Sequence, residues 1–208
     1  MPCSSAFVSF AAALLLALPA PAAKPITLDG LLAQFRALPG LEAKFREEKR
    51  MSLLATPLIS EGTLHFAPPD RLVRRTVSPS PSTVLIEKGA LRFGDGQSSD
   101  SIPLDSNPVV RLFVDSFLKI LEGDRPALEK IFALHLQPRG AGWELTLKPK
   151  LEPMTSVIEK IVLHGTGIVL SKMTIAEPGG DETVTTFSSV DTARKYSPDE
   201  LPKIFKVP

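Results

Sequence analysis

From Gly40 onward, proline and glycine punctuate the chain roughly every eight to twelve residues, at Pro57, Pro68-Pro69, Pro79, Pro81, Gly94-Asp95-Gly96 and Pro103. Proline lacks a backbone donor and glycine loosens the chain, so no long helix can run through such a segment. The stretches between these marks alternate apolar and polar residues, as a strand with one buried face requires. They are residues 41–51, 58–66, 72–77, 84–86 and 91–93. A second series follows Asp124, at residues 132–136, 143–147, 157–163, 169–175 and 183–187. Its turns fall at Gly140-Ala141-Gly142, Gly165-Thr166-Gly167 and Gly179-Gly180-Asp181. No helical pattern of about 10–15 residues alternates with the strands, which argues against a parallel βαβ sheet. About ten short strands in succession predict an antiparallel meander in a mainly β (α+β) fold, a strongly curved sheet or unclosed barrel with a few helices on its concave face. Residues 78–82 and 97–101 are short polar stretches and are expected to be loops.

The first 23 residues have a different texture: none is Asp, Glu, Lys or Arg. An apolar run from Ala6 to Ala20, broken by Pro19, leads into the small-x-small step Ala20-Pro21-Ala22. This pattern predicts a cleaved secretory signal peptide over residues 1–23, followed by one domain over residues 24–208. The run is too short, and too interrupted by proline, for a membrane span. The only cysteine, Cys3, falls inside that leader. A processed chain without thiols suits an oxidising compartment, and it can build neither a disulfide scaffold nor a multi-cysteine metal site. With 24 Lys+Arg against 23 Asp+Glu, the chain also lacks the basic excess that a nucleic-acid partner requires.

Two helices stand out. Leu28, Leu31, Leu32, Phe35 and Leu38 recur at helical spacing behind a Thr27 cap, and Pro39-Gly40 ends the run. Between the two strand series, Asn107 suits an N-cap, Pro108 the first helical position and Gly123 the position past the end. The helix they bracket is apolar around most of its circumference. Val110, Phe113, Val114, Phe117 and Leu121 form one stripe, and Val109, Leu112, Leu118 and Ile120 widen it. Its polar stripe is Arg111, Asp115, Lys119 and Glu122. Such a helix must be enclosed on nearly every side, either as an ordinary core helix or as a lid over a cavity for a greasy ligand.

The strings LEAKFREEKR, PLISEGTLHF, PPDRL and STVLIEKGALRFGDG follow one another over residues 41–96. In order and spacing they resemble the bacterial outer-membrane lipoprotein carrier family, the LolA-type proteins. The greasy helix and the later GWELTLKP string extend the likeness over most of the chain. The resemblance implies an unclosed antiparallel barrel whose mouth is closed by helices over an apolar cavity. It implies a monomer in the periplasm of a Gram-negative bacterium that carries the acyl chains of lipoproteins or a related lipid. Its partners would be an inner-membrane releasing complex and an outer-membrane acceptor. An envelope sensor or adaptor of the same architecture is the alternative. Two departures mark a divergent member. Pro68 stands where the family carries a basic residue that latches the lid, and the chain has one Trp and one Tyr, Trp143 and Tyr196.

The candidate cavity wall, taken from the apolar positions of the strands, is Phe45, Leu64, Phe66, Leu72, Val84, Ile86, Leu145, Leu147, Met173 and Ile175, covered by Val110, Phe113, Val114, Phe117 and Leu121. The same positions serve equally well as plain core. Each methylene buried there is worth about 0.8 kcal/mol, so a long acyl chain contributes on the order of ten kcal/mol before ordering costs. Catalytic signatures are missing from the sequence. His65, His135 and His164 stand singly, no Gly-x-Ser-x-Gly elbow occurs, and the glycine turns precede no phosphate-binding helix. No enzyme activity, metal or cofactor is expected. Glu47-Glu48 beside Lys49-Arg50 predicts an exposed strand edge, and Arg71, Arg74 and Arg75 a local basic patch on a solvated face. Ser197-Pro198-Asp199-Glu200 reads as a capped helical turn, with Phe205 free to pack back on the sheet.

Overall fold

The structure is a computed structural model that describes residues 26–208. The leader reading of residues 1–23, with Cys3 and the small-x-small step, lies outside the described residues. Helix α1 (Leu28–Arg36) precedes six strands, β1 (Leu41–Arg50), β2 (Leu58–Ala67), β3 (Arg71–Ser78), β4 (Ser82–Glu87), β5 (Ala90–Gly94) and β6 (Ser99–Pro103). Helices α2 (Pro108–Leu121) and α3 (Arg125–Ile131) lead to β7 (Phe132–Arg139), β8 (Gly142–Pro149), β9 (Lys160–Thr166), β10 (Val169–Ala176) and β11 (Glu182–Asp191), and a short α4 (Leu201–Ile204) follows.

All eleven strands join one antiparallel sheet in the order β6-β5-β4-β3-β2-β1-β11-β10-β9-β8-β7. Each series is a meander in sequence order, and the two meet where β1 pairs with β11. The two edges, β6 and β7, do not pair with each other, so the barrel is unclosed. This topology explains the helices. Residues 104–131 must travel from one edge of the sheet to the other, and the short route is across its face.

The pleat sends alternate side chains to opposite faces. On the inner face, α1 and α3 bring Leu31, Leu32, Phe35 and Leu128 onto Trp143, Leu145, Leu147, Ile161 and Leu163, a closely packed core. A second inner cluster joins Leu41, Phe66 and Ile86 to Leu104, Val114 and Leu118. The outer face carries its own patch. Ala67, Val73 and Leu85 are covered by Tyr196 and Phe205 of the C-terminal tail. The tail is turned by a reciprocal cap, in which Glu200 N donates to Ser197 Oγ at 3.3 Å and Ser197 N donates to Glu200 Oε2 at 2.9 Å.

Four expectations are corrected. Residues 97–101 are expected in a loop, but from Ser99 the chain forms the edge strand β6 (Ser99–Pro103), whose sequence SDSIP pairs on one side and buries little, so no alternation advertises it. Residues 125–131 form α3, unexpected because seven residues with Leu128 alone fully buried give no readable period. The strand expected from residue 157 starts at Lys160, after a 3-10 turn at Met154–Ser156 that buries Met154 and leaves Val157 exposed. Strand β1, expected to be an exposed edge at Glu47-Glu48, is interior and pairs with both β2 and β11.

Candidate functional site

Helix α2 begins where the sequence predicts. The Asn107 side chain accepts a hydrogen bond from Val110 N at 3.1 Å, with Pro108 at the first turn. It ends at Gly123, where the backbone takes φ +60° and a Cβ would lie 2.1 Å from the Leu32 carbonyl oxygen. Glycine is therefore required there both for its conformation and for the close approach of α1. The one polar residue deep in the helix, Ser116, satisfies itself by donating to Leu112 O at 2.6 Å. Arg36 of α1 holds the far end, donating from Nη2 to Gly123 O at 2.6 Å and from Nε to Glu122 O at 3.3 Å. A cation on terminal carbonyls also complements the helix dipole. Pro68 borders a small hollow of about 160 Å³ beside Leu121 and Glu122.

Between α2 and the inner face lies a partly open cavity of about 340 Å³. Phe45, Leu64, Leu72, Val84, Ile86, Met173 and Ile175 line it from the sheet, under Phe113, Val114, Phe117 and Leu121 of the helix. The Phe113 and Phe117 rings meet edge to face at 4.9 Å. Four expected wall residues do not reach it. Phe66 is 2% exposed within the second inner cluster, with Val110 packed against that cluster. Leu145 and Leu147 are fully buried beneath α1 and α3, so that side of the sheet is filled rather than hollow. The wall also includes Leu91, Ile120, Leu163, Leu170 and Phe187, and the polar residues Glu47, Arg74 and Thr185, which sequence reasoning missed. Alternation could have found the charged pair. Glu47 stands two residues after Phe45, and Arg74 two after Leu72, on the same faces.

The charged pair forms a compact network at the cavity wall. Arg74 Nη2 donates to Glu47 Oε1 at 2.9 Å and to Ser60 Oγ at 3.3 Å. Thr185 Oγ1 donates to Glu47 Oε2 at 3.1 Å. The Arg74 guanidinium lies 4.2 Å from the centroid of the Phe45 ring, a cation–π contact. The expected basic patch is thereby dispersed. Arg71 pairs with Glu87 at 2.8 Å, Arg74 turns inward, and Arg75 turns outward to the Ile204 carbonyl, because neighbouring residues of β3 face opposite ways.

The histidines lie away from this network. His65 Nδ1 is 3.2 Å from the Tyr196 hydroxyl and 3.7 Å from Glu42, and burial holds its pKa below the ordinary value. His164 is likewise lowered by burial, against the pull of Glu144 at 3.7 Å. Among the described residues, no three His, Cys, Asp or Glu side chains are placed to hold a metal ion. No helix among them is long and apolar enough to cross a membrane.

The profile of the family described as outer membrane lipoprotein carrier protein LolA-like matches residues 20–197. Among solved structures, a LolA superfamily protein from Nitrosomonas europaea shares 10% identity over 88% of this chain and 98% of its own, with a TM-score of 0.49. MucB in complex with the periplasmic part of MucA shares 14% identity over 84% of this chain and 57% of its own, at 0.48. A putative outer membrane lipoprotein-sorting protein domain from Vibrio parahaemolyticus shares 8% identity over 84% and 96%, at 0.45. Among curated protein sequences, none matches the chain.

Proposed function

This chain belongs to the LolA-like family of outer membrane lipoprotein carrier proteins, and from that membership we propose that it carries acylated cargo across the bacterial periplasm without altering it covalently. The observation that carries the proposal is the apolar cavity of about 340 Å³ under α2. A methylene is close in size to a water molecule, about 30 Å³, so the hollow accepts roughly eleven of them. At about 0.8 kcal/mol each, the cavity offers roughly 8–9 kcal/mol before the cost of ordering the chain, enough to hold an acyl chain out of water. In this reading residues 1–23 are a leader removed on export. The protein acts as a monomer between an inner-membrane releasing complex and an outer-membrane acceptor, with α2 as the cover that parts for loading.

Native mass spectrometry of the protein purified from membranes tests the proposal. The expected result is a population heavier by the mass of an acylated lipid. That mass is lost when Phe117 is replaced by Asp, while the circular dichroism of the sheet persists. Lipid-free protein that also fails to take up added acyl ligands would overturn the carrier role.

A further inference from the structure

Ion pairs are costly in apolar surroundings unless fully satisfied, so a salt bridge on the wall of a greasy cavity calls for an explanation. Among the described residues, Glu47 and Arg74 are the charged side chains that line this one. We propose that Glu47 and Arg74 form a charge-neutral subsite that accepts an uncharged carbonyl oxygen, the ester or amide that joins an acyl chain to its cargo, and turns away free carboxylate. The inference rests on the carrier reading above and adds the polar chemistry of the ligand.

The argument starts from which atoms are free. Both carboxylate oxygens of Glu47 are engaged, one by Arg74 and the other by the buried residue Thr185. Arg74 is held by three partners: Glu47 and Ser60 both meet Nη2, and the Phe45 ring lies beneath the guanidinium. Guanidinium has five N–H donors and no acceptor, and the recorded bonds all run from Nη2. Donors on Nε and Nη1 therefore remain for a ligand oxygen.

Charge then selects among oxygens. Glu47 already neutralises Arg74, so a carboxylate entering this partly open, largely apolar cavity would bring an uncompensated negative charge beside Glu47. A neutral carbonyl brings none. The arrangement is also preorganised. Gly62 pairs with Phe45 across β1 and β2, and a Cβ there would lie 2.9 Å from the Phe45 ring. Its absence lets the ring lie across β2 as the base on which the guanidinium rests.

The test compares dodecanoic acid with its methyl ester at pH 8, each displacing a hydrophobic fluorescent probe. Unmutated protein should bind the ester more tightly. Glu47→Gln keeps the shape but leaves Arg74 uncompensated, and it should shift the acid-to-ester affinity ratio toward the acid by about tenfold or more. A joint Glu47→Leu, Arg74→Leu variant should lose the response of the ratio to charge while still binding by chain length. An unchanged ratio in Glu47→Gln, with ester still bound, would overturn the subsite and leave the carrier reading intact. Failure of the unmutated protein to bind either ligand would overturn both. Infrared spectra of a carbon-13 carbonyl-labelled ester bound to unmutated protein give a readout independent of any variant. A band moved to lower frequency than in hydrocarbon supports the guanidinium contact, and a band at the hydrocarbon position refutes it.

Discussion

Chain length offers the sharpest test of the cavity, because its volume converts directly into an affinity profile. The perturbation is to shorten a saturated acyl methyl ester one methylene at a time, from hexadecanoate to hexanoate. At about 30 Å³ per methylene, the cavity of about 340 Å³ is full at roughly eleven. Each methylene below that number is worth about 0.8 kcal/mol, or roughly a fourfold change in Kd. Beyond it, further methylenes emerge past Phe113, which is 38% exposed, and contribute little. Probe displacement should therefore give Kd values that fall about fourfold per methylene and then level off near the eleventh. Calorimetry should show a heat capacity of binding that grows more negative over the same range and stops there. A flat profile among the short chains would mean that the hollow does not take the chain. An unbroken gain up to hexadecanoate would mean that α2 moves well away from the sheet, and would refute the volume argument.

Three further outcomes follow from the geometry. Gly62→Ala places a Cβ 1.8 Å from the Arg75 carbonyl oxygen, so β2 and β3 must part; the urea midpoint should drop by an amount equivalent to about 1–3 kcal/mol, and an unchanged midpoint would refute the contact. Arg36→Ala removes the two bonds to Glu122 O and Gly123 O and should speed amide exchange at the end of α2 by about tenfold, a cost of roughly 1–2 kcal/mol, with the sheet amides unaffected. Uniform exchange rates in that variant would show that the arginine is no clasp. The third concerns pH. Burial holds His65 and His164 below the ordinary histidine value of 6.5, so the unfolded chain takes up protons first as pH falls. Stability should be full above pH 6.5 and decline below it, until the folded histidines themselves become protonated. Melting curves between pH 7.5 and 5.5 should show this slope, and His65→Gln, which retains a partner for Tyr196, should flatten it. A slope that is the same in both proteins refutes the assignment to His65. More strongly acid solution should loosen the tail as well, since Glu200, drawn down to about 2 by the Ser197 backbone N–H and by Arg194, supports folding above its ordinary 4.5 and ceases to do so as pH approaches 2.

Local signals carried much of this structure. Asn107-Pro108 and Gly123 bound α2 because capping chemistry lies within a few residues of each end. Residues 197–200 announce their reciprocal cap for the same reason. Period-two alternation located ten of the strands, and it placed Leu64, Leu72, Leu145 and Leu147 alike on one face. It is silent on what stands opposite that face. Leu145 and Leu147 meet α1 and α3 and are fully buried in core, whereas Leu64 and Leu72 meet the gap beneath α2 and line a cavity. That difference depends on a connection between the two edges of the sheet and on the angle at which three helices cross it, contacts between residues far apart in the chain. The same holds for the ion pair. Glu47 and Arg74 are 27 positions apart in sequence, and each alone reads as a solvated charge. What the sequence by itself determined is the meander, the capped greasy helix and the face each residue takes. Tertiary structure alone decided which part of that face is filled, which is hollow, and which two charges share the hollow, because empty volume is a property of opposing surfaces and not of either strand that contributes to it.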